Sequence, residues 1–139
     1  MSNIDEPTQQ AYRETHFKVY GSAPMTLQIG QRNAELAHSY EEKRIQSCTF
    51  ITSCNPYSQP YDDAANAARL AILEIELEAE GLVFIEGIGQ HPSGEWPGEA
   101  SLLVLDLSLA DARAWGTKHE QNAIVWCGAD AVPQLVLLR

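Results

Sequence analysis

Hydrophobic and polar residues alternate along this chain with two periods, and the change from one period to the other marks the ends of its elements. Runs with a period near two, rich in β-branched and aromatic residues, predict strands, whereas a period of 3.6 predicts helices. In the first third of the chain the predicted elements are a helix over Thr8–Glu14, strands over His16–Tyr20 and Met25–Ile29 joined by a turn at Gly21–Pro24, and a helix that Asn33 caps and that ends near Lys43.

The rest of the chain reads as strand, helix, strand, strand, helix, strand, with one further strand at the end. The long helix ends at Gly81, where glycine favours a left-handed cap, and Ser108 opens the second helix with a variant of the capping box. The predicted bounds are strands over Ser47–Ser53, Leu82–Ile85, Ser101–Leu107, Ala123–Trp126 and Leu135–Leu138, helices over Asp62–Glu80 and Ser108–His119, and a Gly/Pro-rich loop over Glu86–Gly98.

This order of elements is typical of an α+β fold of the ferredoxin-like type, a split βαβ arrangement in which helices cover one face of an antiparallel sheet. We expect a single domain over residues 1–139, with a core at about 45–127. Residues 1–44 would add an N-terminal helix and hairpin, and residues 128–139 a C-terminal strand. The usual strand order places the last strand of the core beside the first. It predicts Asn55 and Gln121 at one edge of the sheet and Glu99 at the opposite edge.

The long helix carries two apolar stripes, which indicates that two of its faces are covered. One stripe consists of small residues and isoleucines, and its small side chains predict close approach to the sheet. The opposite stripe contains leucines, and it needs a second cover, either the N-terminal segment or a partner subunit in a homodimer. The first stripe is Ala64, Ala68, Ala71, Ile72, Ile75 and Ala79, and the second is Asn66, Leu70, Leu73 and Leu77.

The length, charge and hydropathy of the chain disfavour several classes of protein. The chain has 139 residues, 45% of them hydrophobic, which suits one domain with one core. A formal charge of −10, with nine Lys and Arg scattered along the chain, disfavours nucleic-acid binding. No apolar run reaches the roughly 20 residues of a membrane span, and we expect a cytoplasmic protein with no membrane partner. The three cysteines, Cys48, Cys54 and Cys127, are expected to be reduced thiols.

The loop between the first core strand and the long helix is the first candidate site. It places Asn55, Tyr57, Ser58 and Gln59 near the start of a helix, where free N–H groups favour an anionic or polar ligand. Asp62 and Asp63 already occupy that helix start and would repel a phosphate. Pro56 restricts Asn55 to an extended conformation, so a plain connector is the alternative interpretation.

Two further groups of polar residues complete the candidates. Asn66 stands in line with leucines, where a partly buried amide needs partners, and Gln121 and Asn122 are predicted near Asn55. The loop over residues 88–99 contains His91, Glu95, Trp96 and Glu99. His91 and Glu99 are candidates for a general acid and base, although their spacing matches no catalytic signature. A hairpin loop with Trp96 packed over the sheet edge is the alternative.

Cofactor and metal signatures are missing from the sequence. There is no C-x-x-C or H-x-x-x-H spacing, no phosphate-binding glycine motif and no nucleophile elbow. We therefore expect no cofactor and no metal.

Four segments of the chain resemble a bacterial family known as domain of unknown function 3293: AYRETHFKV, ITSCNPYSQP followed by NAAR, WPGEASLLVLDL, and QNAIVW. The resemblance draws attention to Asn55, Asn66, Glu99 and Gln121 as the polar members of these segments. At the position of Cys54 the family more often has an aromatic residue.

The leading hypothesis is a module that binds a small polar molecule in a pocket formed by the 55–61 loop, Asn66 and the Gln121–Asn122 turn, because amides and a tyrosine suit recognition more than covalent chemistry. An enzyme that uses Glu99 or His91 is the second hypothesis, and it requires Glu99 to meet Asn55. The third is an acidic protein-interaction module, dimeric through the leucine stripe.

Overall fold

A computed structural model describes residues 2–139 as a mixed α+β fold with one seven-stranded sheet. All neighbouring strands are antiparallel, in the order β2-β1-β4-β5-β3-β6-β7. The strands are β1 (His16–Val19), β2 (Met25–Leu27), β3 (Cys48–Ile51), β4 (Phe84–Gln90), β5 (Glu99–Leu105), β6 (Ala123–Cys127) and β7 (Pro133–Leu137). The helices are α1 (Glu6–Glu14), α2 (Ala34–Lys43), α3 (Asp63–Ala79) and α4 (Leu109–Lys118).

Three of the four predicted helix starts are confirmed at the level of single hydrogen bonds. α1 is the exception, because it begins at Glu6 and not at Thr8. Asn33 Oδ1 accepts from the Leu36 N–H at 2.9 Å, and Ser108 Oγ accepts from the Asp111 N–H at 3.1 Å. Asp62 Oδ1 caps α3 by accepting from the Ala65 N–H at 2.7 Å. Each bond satisfies a backbone donor that the first turn of a helix leaves unpaired, which is why these caps could be identified from spacing alone.

The prediction for β4 is wrong, because the strand continues to Gln90 through residues that the sequence assigns to a loop. Gly87 falls in the predicted loop, yet it lies inside the strand. A Cβ on Gly87 would collide with the carbonyl oxygen of Lys18 on β1 and lie 3.0 Å from the Phe50 ring. The glycine therefore marks a close approach of two backbones rather than a turn. The hairpin loop that follows covers only residues 91–98.

The predicted position of the last core strand beside the first is confirmed, because β6 pairs with β3. The predicted position of Glu99 is not. β3 lies between β5 and β6, with Ile51 opposite Leu102 and Phe50 opposite Val125. In an antiparallel pair the end of one strand lies beside the start of its neighbour. The end of β3 therefore meets the starts of both β5 and β6, so the placement of Glu99 at the opposite edge from Asn55 is wrong.

Helices cover both faces of the sheet: the two helices of the predicted core share one face, and α2, from the N-terminal extension, covers the other. α3 and α4 pack on one face, where the buried core consists of Ile51, Leu73, Leu77, Leu102, Val104, Leu107, Ala112 and Ile124. α2 packs on the other face, where Leu36 and Tyr40 join Phe50, Leu103, Val125 and residues of the N-terminal hairpin. The N-terminal extension thus supplies a second layer.

The orientation predicted for α3 is also wrong. Leu73 and Leu77 are fully buried against the sheet, whereas Ile72 is 52% exposed and Ile75 is 66% exposed. Leucine side chains are long enough to fill the space between helix and sheet, and they bury more apolar area than alanines would. The leucine stripe is consequently covered by the chain's own sheet.

The sheet curls so that its two ends approach each other around α2. The Gly30 N–H donates to Pro133 O at 2.8 Å, and the Asn33 N–H donates to Ala131 O at 3.0 Å, which joins the segment after β2 to the start of β7.

Within residues 2–139, no helix is both long enough and apolar enough to span a bilayer.

Candidate functional site

The candidate site lies at one edge of the sheet, which we call the β3 rim: residues 52–61 after β3, Glu99 at the start of β5, and residues 119–122 before β6. The antiparallel pairing of β3 with both neighbours brings these segments together. The start of α3 faces them, because Asn66 in its second turn reaches the loop after β3. The confirmed closeness of Asn55 and Gln121 follows from this pairing.

Three side chains at this rim form a closed network. Asn55 Nδ2 donates to Glu99 Oε2 at 2.7 Å, and Asn66 Nδ2 donates to Asn55 Oδ1 at 2.9 Å. In return, Asn66 Oδ1 accepts from the Asn55 backbone N–H at 2.9 Å. Asn55 Oδ1 also accepts from the Tyr61 N–H at 2.9 Å, which closes the loop on itself. The two amides thus use most of their hydrogen-bonding capacity within the protein.

The loop after β3 holds an unusual backbone. Asn55 has φ 46°, Tyr57 φ 53° and Ser58 φ 61°, all in the left-handed region. The prediction that Pro56 keeps Asn55 extended is wrong, because the network with Tyr61 and Asn66 selects the left-handed conformation that asparagine tolerates better than most residues. For tyrosine the same conformation is unfavourable, and such strained residues concentrate at functional sites.

The carboxyl group of Glu99 is the titratable member of the network. Burial raises the pKa of Glu99, and the hydrogen bond from Asn55 opposes that shift only in part. None of the ion pairs found among residues 2–139 includes Glu99. A desolvated carboxyl without a cation beside it is costly for stability alone, so its presence in this network favours a functional role.

Cys54 lies beside this carboxyl and is buried. Burial raises the pKa of the Cys54 thiol, and the charge of Glu99 raises the pKa further. Its sulfur lies 3.6 Å from Ala100 O. A cysteine in this environment stays protonated, and it packs as a small apolar residue rather than acting as a nucleophile.

Gln121 and Asn122 hold the loop rather than present free amides. Gln121 is buried, and its Nε2 donates to Cys54 O at 3.2 Å and to His119 O at 3.1 Å. Asn122 Nδ2 donates to Ser58 Oγ at 2.9 Å, and Asn122 Oδ1 accepts from Arg139 at 3.0 Å. Both residues therefore lie where the sequence predicted them, with their side chains turned to protein partners.

The aromatic residues of the loop remain open to solvent. Tyr57 is 40% exposed and Tyr61 is 46% exposed, and the exposed Gln59 lies between them. The guanidinium of Arg139 lies 4.3 Å from the centre of the Tyr57 ring. Two flat surfaces thus flank the amide network at the rim.

Arg69 is a residue of the rim that the sequence reasoning missed. Its Nε donates to Ser53 O at 2.7 Å, and its Nη2 donates to His119 O at 3.2 Å, so one side chain ties the end of β3 to the turn before β6. The guanidinium also lies 5.8 Å from the Tyr61 ring. Its position three residues after Asn66, on the same side of the helix, was the available signal.

The helix α1 makes two exposed contacts, one with the β3 rim and one with the hairpin loop 91–98. Tyr12 and Ser58 share a hydrogen bond of 2.7 Å, and Glu14 Oε1 lies 3.0 Å from His91 Nε2. That bond lowers the pKa of Glu14. α1 buries none of its own residues, so these contacts attach it loosely.

His91 stays apart from the network. Besides Glu14, it contacts Ser93 Oγ at 2.8 Å, and its ring stands edge-on to the ring of Trp96, with 4.6 Å between the centres. Glu95 and Trp96 are exposed in the same loop. The pairing of His91 with Glu99 as general acid and base therefore has no contact to support it.

Two cavities of about 350 and 330 Å3 open in the part of the chain that the structure describes. Neither is lined by Asn55, Asn66, Gln121 or Asn122, because these amides bond to one another and to the backbone.

Among residues 2–139, no three His, Cys, Asp or Glu side chains gather as metal ligands.

Comparison with known proteins adds one finding. A family model described as "Protein of unknown function (DUF3293)" matches residues 51–124, from the end of β3 to the start of β6. No curated protein matches the chain, and no solved structure does. The matched segment includes Asn55, Asn66, Arg69, Glu99 and Gln121.

Proposed function

The chain belongs to this family of unknown function, DUF3293. We propose that it binds a small polar molecule at the β3 rim, with Glu99 as the group that meets the ligand. The 2.7 Å hydrogen bond from Asn55 to Glu99 carries the proposal. It explains why polar residues from separate segments of the matched region gather at one point.

The amides hold Glu99 rather than contact the ligand themselves. Asn55 and Asn66 bond to each other, and Asn55 Nδ2 is committed to Glu99 Oε2. The second oxygen, Oε1, takes part in no hydrogen bond among the described residues, and it is not a fully buried atom. A carboxyl fixed at one oxygen and open at the other is suited to accept a bond from a ligand.

The chemistry of the open oxygen defines the ligand class. A carboxylate accepts hydrogen bonds, so the ligand carries N–H or O–H donors such as an amine, an amide or a hydroxyl. Tyr61, half-exposed and bonded through its N–H to Asn55, adds a flat surface on which a ring can stack. A free phosphate is disfavoured beside Glu99, Asp62 and Asp63.

A second candidate function is an enzyme in which Glu99 moves a proton. It is favoured because Asn55 and Glu99 converge, which is the condition that this hypothesis needs. Burial raises the pKa of Glu99, which favours the protonated form that a general acid needs. Asn55 would then act as a positioning residue.

A thermal-shift screen tests the binding proposal. Wild-type protein is heated with a panel of small amines, guanidines, carboxamides, polyols and nucleosides, and a ligand at roughly 100 times its Kd adds about 2.7 kcal/mol to the free energy of unfolding. The proposal expects at least one class to raise Tm in the wild type and not in Glu99→Gln. Glu95→Gln, an exposed carboxylate in the neighbouring hairpin, is the matched control and should respond like the wild type.

Two results would overturn the proposal: no class raises Tm in the wild type, or Glu99→Gln responds as strongly as the wild type. To separate the two candidates, a compound that binds is incubated with the protein and followed by mass spectrometry. Binding without conversion supports the binding module. Conversion that Glu99→Gln abolishes supports the enzyme.

A further inference from the structure

A second part of the molecule combines positive charge with a cavity that is half open to solvent. α3 and α4 pack over β3, β5 and β6, and on the same face the side chains of β1 are covered by the hairpin loop 91–98 instead. Between β1, the end of β4 and this loop lies a cavity of about 350 Å3, which we call the hairpin cavity. Ligand pockets have volumes of roughly 300–1,000 Å3, so this one suits a small molecule.

The charge that lines the hairpin cavity is opposite in sign to the net charge of the chain. Its lining includes Lys18, His16 and His91, and none of its nine lining residues carries a carboxylate, although the formal charge of the protein is −10. Alternation along β1 explains the pairing of His16 with Lys18, because residues two apart in a strand share a face. Phe17 and Val19, between and after them, point into the core on the other face.

Lys18 is the group with capacity for a ligand. Its Nζ donates to Gln90 Oε1 at 3.0 Å, which fixes the side chain but uses one of the three ammonium donors. His91 is already engaged at both ring nitrogens, by Ser93 and Glu14. No hydrogen bond among residues 2–139 uses a ring nitrogen of His16, so Lys18 and His16 are the open polar groups.

The outer wall of the cavity is flat and apolar. Trp96 is 51% exposed, and its ring packs edge-on against the ring of His91. The loop around it is rich in proline and glycine. A tryptophan that packs edge-on against a neighbouring ring and is half open to solvent offers a surface on which a ring can stack. The ammonium group of Lys18 and the ring of Trp96 together favour a ligand with one negative charge and one flat apolar part.

We propose that the hairpin cavity binds a small aromatic carboxylate, with its carboxylate on Lys18 and its ring against Trp96. The single ammonium group of Lys18 balances one negative charge, whereas a doubly charged phosphate would leave one of its charges unbalanced. The site is separate from Glu99. Glu99 is paired with Gly89, and Gln90, which lines the cavity, points to the opposite face of the sheet.

Benzoate is the probe for this site, and benzyl alcohol is its uncharged counterpart. The full chain is labelled with 15N and titrated while the amide signals of Gly94 and Gly98, which line the cavity, are followed. Benzoate should produce saturable shifts of these signals, and benzyl alcohol and inorganic phosphate should bind at least about tenfold more weakly, because a charge-assisted hydrogen bond is lost or a second charge is added.

Variants locate the site. Lys18→Gln should weaken benzoate binding by about tenfold or more, and Trp96→Ala, at a side chain that is half exposed, should weaken it as well. Lys43→Gln, the same change at an exposed lysine at the end of α2, is the matched control and should keep wild-type affinity. The proposal is overturned if benzoate gives no saturable shift at Gly94 and Gly98, or if Lys18→Gln and Lys43→Gln bind it equally.

Discussion

Asn55 and Glu99 lie 44 positions apart in the chain, yet Asn55 Nδ2 donates to Glu99 Oε2 at 2.7 Å. The contact exists because β3 ends where its antiparallel neighbour β5 begins. It places an uncompensated carboxyl group among amides at the β3 rim. Four substitutions test this contact and the packing that supports it.

Stability should depend on pH through Glu99. Burial raises the pKa of Glu99 in the folded protein above its ordinary value of 4.5. Above pH 4.5 the unfolded chain has released this proton while the folded protein still holds it, so the wild type loses stability as pH rises through the window up to the raised pKa. Glu99→Gln has no such proton. Its free energy of unfolding minus that of the wild type should therefore increase as pH rises through this window.

Urea denaturation at a series of pH values measures this difference. Glu95→Gln removes the same charge from an exposed position in the adjacent hairpin and controls for the change in net charge. A difference for Glu99→Gln that stays flat or decreases with pH would show that Glu99 is not desolvated as described.

Asn55→Gly should destabilise the protein by about 1–3 kcal/mol, because Asn66 Nδ2, the Tyr61 N–H and Glu99 Oε2 lose their hydrogen bonds to the Asn55 side chain. Glycine adopts φ 46° without strain, so the loss reports on the amide and not on the backbone. Chemical denaturation gives the value. Asn3→Gly, at an exposed position, should stay within about 0.5 kcal/mol of the wild type. Equal effects at both positions would contradict the network.

Neighbouring residues of α3 should respond very differently to truncation. Leu73→Ala removes a fully buried side chain and should cost about 2–5 kcal/mol, whereas Ile72→Ala, at a residue 52% exposed, should change stability by no more than roughly 0.5 kcal/mol. The free energies of unfolding of the two variants are compared under one set of conditions. If Ile72→Ala is the more costly change, the helix packs on its alanine and isoleucine face after all.

Two glycines of β4 form a matched pair. Gly87→Ala should cost about 1–3 kcal/mol, because its Cβ would collide with the backbone of β1 and crowd Phe50. Gly89→Ala meets its nearest atoms at 3.7 Å or more, which is ordinary contact, and its effect should be small. Thermal unfolding of both variants measures the difference. Similar Tm values would mean that β1 and β4 are not so close at Gly87.

The sequence by itself determined the local structure of this protein. Asn33, Asp62 and Ser108 each accept a hydrogen bond from a backbone group three residues ahead, so the start of a helix can be identified in a window of a few residues. The sequence also determined the order of strands and helices from β3 to β6. It did not determine the length of β4. The resemblance to a family also selected Asn55, Asn66, Glu99 and Gln121 as candidate site residues.

The tertiary structure alone decided how these pieces meet. Leucine and alanine stripes on α3 are both apolar, and only the space above the sheet selects Leu73 and Leu77 for burial. Gly87 belongs to a strand because β1 lies against it. Asn55 turns left-handed and holds Glu99 because their partners arrive from distant parts of the chain, and contacts of that kind depend on the pairing of whole strands, which no short stretch of sequence specifies.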